Sequence, residues 1–221
     1  GLIDEARRTL DALVDRKPQG YVGVAAALAA GEPAEAACGH RAAFRLYSRL
    51  ADDPKAVSDI VLARLGRTAL ATSARKAAAH ALQRVYYEFP LTDTAESIAP
   101  QLEGLQDQVT PNYQKDIGRA QLLFGAGRYA DAKAAFQSLQ RVVSGDDREL
   151  VDLRVAECDF NMKSYVAARE GVRPYLDRAS RRAEARFFFL SASRFLGPRD
   201  EYVAQTAALV ADFPDSSWSE E

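Results

Sequence analysis

At 221 residues, with 48% apolar residues, 27% charged residues and a formal net charge of −2, the chain has an ordinary folded-protein composition and room for one large domain or two small ones. That balance gives no bulk positive charge to drive association with nucleic acid or an anionic membrane. The longest apolar run, YVGVAAALAA, is about half of the ~20 residues that a spanning helix needs, which excludes a transmembrane segment.

Local propensity points to helix from end to end. Alanine occurs 41 times, Leu, Arg and Glu are frequent, and runs of β-branched residues are few. The first segment, LIDEARRTLDALVD, sets Leu2, Ala6, Leu10, Leu13 and Val14 on one face and stops at Lys17-Pro18-Gln19-Gly20. A short helix over Tyr21 to Ala30 is expected to end at Gly31. Pro33 suits the first turn of the next helix, which should run to about Leu50, and Asp52-Asp53-Pro54 should open another. ARKAAAHALQRVYYEF reads as an amphipathic helix stopped by Pro90. Asp93 is then the expected cap of the following helix, with Glu96 as capping-box partner and Thr92 as a candidate to share the role.

The segment YYEFPLTDTAESI has a counterpart at the end of the chain, VADFPDSSWSEE. Each reads acid, Phe, Pro, with a hydroxyl residue three after the Phe (Thr92, Ser216). Phe-Pro stops a helix and makes a tight turn, and the hydroxyl or acid beyond it restarts the chain as a new helix. The Phe is expected to pack under the turn, and Ser217 and Glu220 are the expected capping pair of the second copy.

Between these two copies the sequence acquires a period. RAQLLFGAGRYADAKAAFQSL aligns with RVAECDFNMKSYVAAREGVRPYL at a step of 36: Ala120 with Ala156, Phe124 with Phe160, Tyr129 with Tyr165, Ala132 with Ala168, Phe136 with Val172 and Leu139 with Tyr175. A further step reaches Ala192, Leu196 and Ala204, with Glu201 in the Tyr position and Tyr202 beside it. Small residues at fixed offsets let paired helices approach, and the large ones fill the space between successive hairpins. This is close to the 34-residue tetratricopeptide pattern, two residues longer and without its usual Trp and Gly. The expected fold class is therefore all-α: a right-handed superhelix of antiparallel helix hairpins, a tetratricopeptide-like α-α solenoid. Residues 1–110 would form irregular hairpins and 111–221 about three regular repeats, in one continuous superhelix. With a hairpin unfinished at Glu221, the chain reads as a piece of a longer protein.

ALQRVYYEFPLTDTAESI also resembles the helical region of the soluble lytic murein transglycosylases of bacterial periplasms. There, a helix of the form Leu-x-Arg-apolar-Tyr-Tyr-acid-aromatic-Pro-Leu-Ser/Thr leads into another helix. Leu82, Arg84, Tyr86, Tyr87, Glu88, Phe89, Pro90, Leu91 and Thr92 stand in that pattern, and GRYADAKAAFQSL and FPDSSWSEE resemble the repeat units that follow it. The resemblance spans roughly Ala74 to the end. It implies a periplasmic scaffold that partners peptidoglycan and a lysozyme-like catalytic domain of the same chain, which cleaves glycan to 1,6-anhydro products. The catalytic Glu-Ser of such a domain precedes a Gly-Leu-Met-Gln motif. Glu96-Ser97 is followed instead by IAPQLEGLQDQ, so no catalytic residue is expected in these 221 residues. A tetratricopeptide-like adaptor for another envelope protein fits the repeats equally well.

The remaining chemistry is sparse. Asp52-Asp53 and Asp146-Asp147 each sit where a helix is predicted to open and read as capping acids rather than as a glycosidase pair. His40 and His80 stand alone on Ala-rich helices. Cys38 and Cys158 match neither a metal spacing nor a disulfide framework and read as two small buried thiols. No phosphate loop or nucleophile elbow is present, and no cofactor or metal is expected. The binding candidates are Arg84, Tyr86 and Tyr87 in the Tyr-Tyr segment and Arg181, Arg182 and Arg186 in RASRRAEARFFFL. The competing reading of that last stretch is a solvated Arg face with Phe187, Phe188 and Phe189 in the core.

Overall fold

Twelve α-helices and no strand are found among the described residues of the computed structural model, which are 39–220 together with scattered positions between 5 and 36. The chain divides into two units, Gly1–Pro111 and Asn112–Glu221. The apolar face predicted over Leu2 to Val14 lies outside the described residues.

In the first unit, α1 (His40–Asp52), α2 (Asp59–Ala71) and α3 (Arg75–Glu88) pack in sequence, α1 on α2 and α2 on α3. Two short helices follow, α4 (Asp93–Ser97) and α5 (Ala99–Glu103). Leu46, Tyr47, Leu50, Val61, Leu62, Leu82 and Val85 supply the large side chains of the core, with alanines between them that let the helix axes close up. Gly66 is part of this packing: a Cβ there would lie 2.4 Å from Cδ2 of Leu82, which is fully buried.

Three boundaries differ from those predicted. Gly31 does not end a helix: it and Glu32 are helical, and a Cβ on the buried Gly31 would lie 2.1 Å from the Tyr47 hydroxyl oxygen. The glycine there answers a close approach. The helix expected from Pro33 is broken at Gly39 (φ −79°, ψ 36°), and α1 begins at His40. Asp52 and Asp53 close α1 instead of opening a helix. Asp53 is its C-cap, and its carboxylate accepts from the Lys55 N–H at 2.9 Å. The opening role falls to Ser58, whose hydroxyl oxygen accepts from the Val61 N–H and caps α2.

The second unit contains α6 (Tyr113–Gly125), α7 (Tyr129–Leu139), α8 (Gly145–Asn161), α9 (Tyr165–Val172), α10 (Arg182–Ser193), α11 (Arg199–Asp212) and the one-turn α12 (Ser217–Glu220). Each from α6 to α11 packs on the next. The small positions of the period are buried: Ala120, Ala156 and Ala192 on the first helices of the hairpins, and Ala132 and Ala168 on the second. At the turns, Tyr129 meets Phe124 edge-on at 5.4 Å, and Tyr165 meets Phe160 at 5.6 Å. The third hairpin departs from the step of 36. Its connection, residues 194–198, has five residues where the first two hairpins have three, and the buried position of α11 falls one residue later than the step of 36 places it. Leu209 is buried and Tyr202 half-buried, whereas Ala204, the position a strict period selects, is exposed.

The period also has a member that the sequence does not display. At the α6–α7 and α8–α9 turns, Gly127 (φ 76°) and Lys163 (φ 63°) are left-handed. The residues after them, Arg128 (−80°, 60°) and Ser164 (−84°, 59°), lead into the second helices. At the α2–α3 turn of the first unit, Ser73 (φ 61°) and Ala74 (−85°, 60°) repeat that geometry. The hydrogen bonds repeat as well: Gly127 N–H to Phe124 O and Arg128 N–H to Leu123 O correspond to Ser73 N–H to Leu70 O and Ala74 N–H to Ala69 O.

The two Phe-Pro segments share one construction. Phe89 (φ −127°, ψ 44°) and Phe213 (φ −137°, ψ 58°) are the C-caps of α3 and α11. Three residues on, the Thr92 and Ser216 N–H groups donate to the Phe89 and Phe213 carbonyls at 3.2 and 3.1 Å. Both hydroxyls then accept from the helix that follows, Thr92 Oγ1 from Ala95 N–H and Ser216 Oγ from Trp218 N–H, each at 3.3 Å. The caps are thus Thr92, the residue expected to share the role with Asp93, and Ser216, one residue before the predicted Ser217.

Candidate functional site

The candidates on α3 belong to the framework. Arg84 Nε and Nη2 donate to both carboxylate oxygens of Glu88, at 2.9 and 3.1 Å, and Nη1 donates to the Ala51 carbonyl in the last turn of α1. The hydrogen bonds to Glu88 hold the Arg84 guanidinium above its ordinary range. Tyr86 and Tyr87 are half-buried, with ring centroids 5.0 Å apart and planes at 79°, and Tyr86 packs against the core of the unit.

The Arg candidates of the second unit are also committed, chiefly to their neighbours in the fold. Arg181 is the N-cap of α10, and its N–H and that of Ser180 donate to the buried Glu149 carboxylate of α8. That carboxylate therefore serves as the missing cap, set at the positive end of α10. The Arg181 side chain reaches Glu184 at 3.3 Å. Arg182 and Arg186 lie over the Phe213 ring, at 5.1 and 5.3 Å from its centroid. Arg186 also donates to the Leu176 carbonyl and pairs with Asp212. The two arginines thus hold the second Phe-Pro turn against α10. Phe188 is buried and Phe187 and Phe189 half-buried in the core of the unit, with Trp218 packed on the first two.

Several charged residues that the sequence did not single out are buried. Glu184 and Glu157 share the Arg154 guanidinium, which also lies 5.8 Å from the Phe124 ring centre. Burial raises the Glu157 carboxyl above its usual range, against the pull of Arg154. Asp159, 5% exposed, takes the Lys133 ammonium at 2.6 Å. Each carboxylate has a cation from another helix or the next turn, as buried charge requires. Their sequence signal was a charged residue on the apolar side of a helical period. Asp146 and Asp147 do lie in the first turn of α8, as predicted, and Asp147 accepts from Gln114.

An open cleft of about 900 Å³, a size to take a ligand, lies in the first unit. Phe44, Ser48 and Asp52 of α1 form one wall, Lys76, His80 and Arg84 of α3 the other, and Leu62 and Leu65 of α2 with Ala77 and Ala81 the floor. Of the six binding candidates only Arg84 reaches it. Among the described residues no three His, Cys, Asp or Glu side chains come together to hold a metal ion, and no helix is long and apolar enough to cross a membrane. No protein-family model matches this chain, and no curated protein matches it.

Proposed function

We propose that the chain is a non-catalytic helical scaffold of a periplasmic lytic transglycosylase. Its hairpins would stack into a right-handed superhelix that holds the peptidoglycan strand for a lysozyme-like domain of the same protein. The observation that carries this reading is the joint between Arg84 and Thr92, where the resemblance to that family is densest. Three residues of the segment that stand in that family's pattern have a mechanical task there: Arg84 ties α3 to α1, Phe89 ends α3, and Thr92 caps α4. The paired acids support the same reading, because Asp53 and Asp147 are engaged in turns and helix starts rather than held as a proton donor facing a nucleophile.

The test is the reading frame beyond codon 221. A Glu-Ser followed by Gly-Leu-Met-Gln within a few hundred codons is the expected result. A frame that closes after a few further helices would overturn it and leave the tetratricopeptide-like adaptor of an envelope protein.

A further inference from the structure

We propose that the α1–α3 cleft is a binding site for an extended acidic peptide. This rests on the cleft alone and stands independently of the cell-wall reading. Its two walls are rows at a spacing of four residues: Phe44, Ser48 and Asp52 on α1, and Lys76, His80 and Arg84 on α3. Four residues of helix advance about 6 Å. Alternate side chains of an extended strand are about 6.7 Å apart, so carboxylates at every second position of a peptide fall in step with the α3 row.

The row is costly for the helix by itself. Lys76 lies in the first turn of α3 with Arg75, and that turn has no acid to meet the helix dipole. Lys76 and His80 are exposed and have no hydrogen-bond or ion-pair partner among the described residues. Arg84, in contrast, is anchored on Glu88 and Ala51 and provides a fixed end.

The other surfaces of the cleft select the class of ligand. A floor of Leu62, Leu65, Ala77 and Ala81 beside Phe44 is small and apolar and accommodates side chains that alternate with the acids. Asp52, at the Arg84 end, would repel a uniform polyanion such as a nucleic-acid backbone, but accepts the N–H groups or an amino group of a peptide.

The experiment is a fluorescence-anisotropy titration of the 221-residue chain with a labelled octapeptide of alternating Glu and Leu, at low salt. Saturable binding is expected. Lys76→Glu with His80→Glu should weaken it at least tenfold, whereas Lys76→Arg should leave it within twofold. Because Lys76 and His80 are exposed, the charge-reversed variant should melt as the parent does, and circular dichroism verifies this. Absence of saturable binding, unchanged affinity in the double variant, or equal binding of an alternating Lys-Leu octapeptide would overturn the site. Binding of oligo-dT with the same sensitivity to the variants would overturn the peptide assignment in favour of a polyanion.

Discussion

Lys163 holds the same left-handed backbone conformation as Gly127, 36 residues before it, with φ of 63° and 76°. Glycine adopts this region freely, and a Cβ carries a penalty of about 1 kcal/mol or more. A Cβ on Gly127 would meet no atom within 4 Å, so conformation alone sets the cost of changing it. Lys163→Gly should therefore raise stability by about 1 kcal/mol, and Gly127→Ala should lower it by a similar amount. Urea unfolding of each variant against the parent checks both signs.

Gly66 answers steric contact instead. Helix propensity alone favours Gly66→Ala by about 1 kcal/mol. The new methyl group, however, would meet the fully buried Leu82 at 2.4 Å, and overpacking of this kind costs about 1–3 kcal/mol. The substitution should destabilise the protein. In a Leu82→Ala background the clash disappears, and the same change should become neutral or stabilising. The double-mutant cycle measures that reversal.

The contrast between these glycines also shows where the sequence was legible. Ala120, Phe124, Tyr129 and Ala132 recur as Ala156, Phe160, Tyr165 and Ala168 because each contact is local to one hairpin, and spacing records local contacts. The α2–α3 hairpin makes the same turn with Ser73 at the left-handed position. Gly66, Ala78 and Leu82 hold its small and large helix positions, but Leu70 and Arg75 stand where Phe and Tyr would, so the aromatic signature of the turn is missing. In the third hairpin the buried position of α11 falls at Leu209, which a fixed step misses. At each cap Thr and Asp, or two serines, adjoin, and only geometry chooses between them. The engagement of Arg182 and Arg186 with Phe213 brings together residues about 30 apart along the chain, beyond the reach of any periodic reading.

One buried tyrosine and one half-buried tyrosine should make the protein sensitive to alkali. Burial, reinforced by the hydrogen bond to Glu35, pushes the Tyr47 hydroxyl from 10.0 to about 12. Burial and the bond to Asp152 push Tyr175 to about 12. Between pH 10 and 12 the unfolded chain loses these protons while the folded chain keeps them. The stabilisation is fully present below pH 10 and is lost as pH rises through 12. Urea midpoints measured at pH 9, 10 and 11 should decline steadily over the last two, and Tyr47→Phe should flatten part of the decline.

Cys158 is completely buried in the core of the second unit, and burial pushes its thiol up to about 12. Only the thiolate reacts with iodoacetamide. In a Cys38→Ser background, alkylation at pH 8 should be slower than that of a free thiol by a factor of 100 or more, and should accelerate across the urea transition. Mass spectrometry of quenched samples follows it.

We propose that this chain holds peptidoglycan without cutting it. Purified residues 1–221 should be mixed with purified sacculi and sedimented, and the supernatant analysed for soluble muropeptides. The account predicts that the protein sediments with the sacculi in a saturable manner and that no 1,6-anhydro product is released. Protein that stays in the supernatant, or release of anhydro-muropeptides by these residues alone, would contradict it.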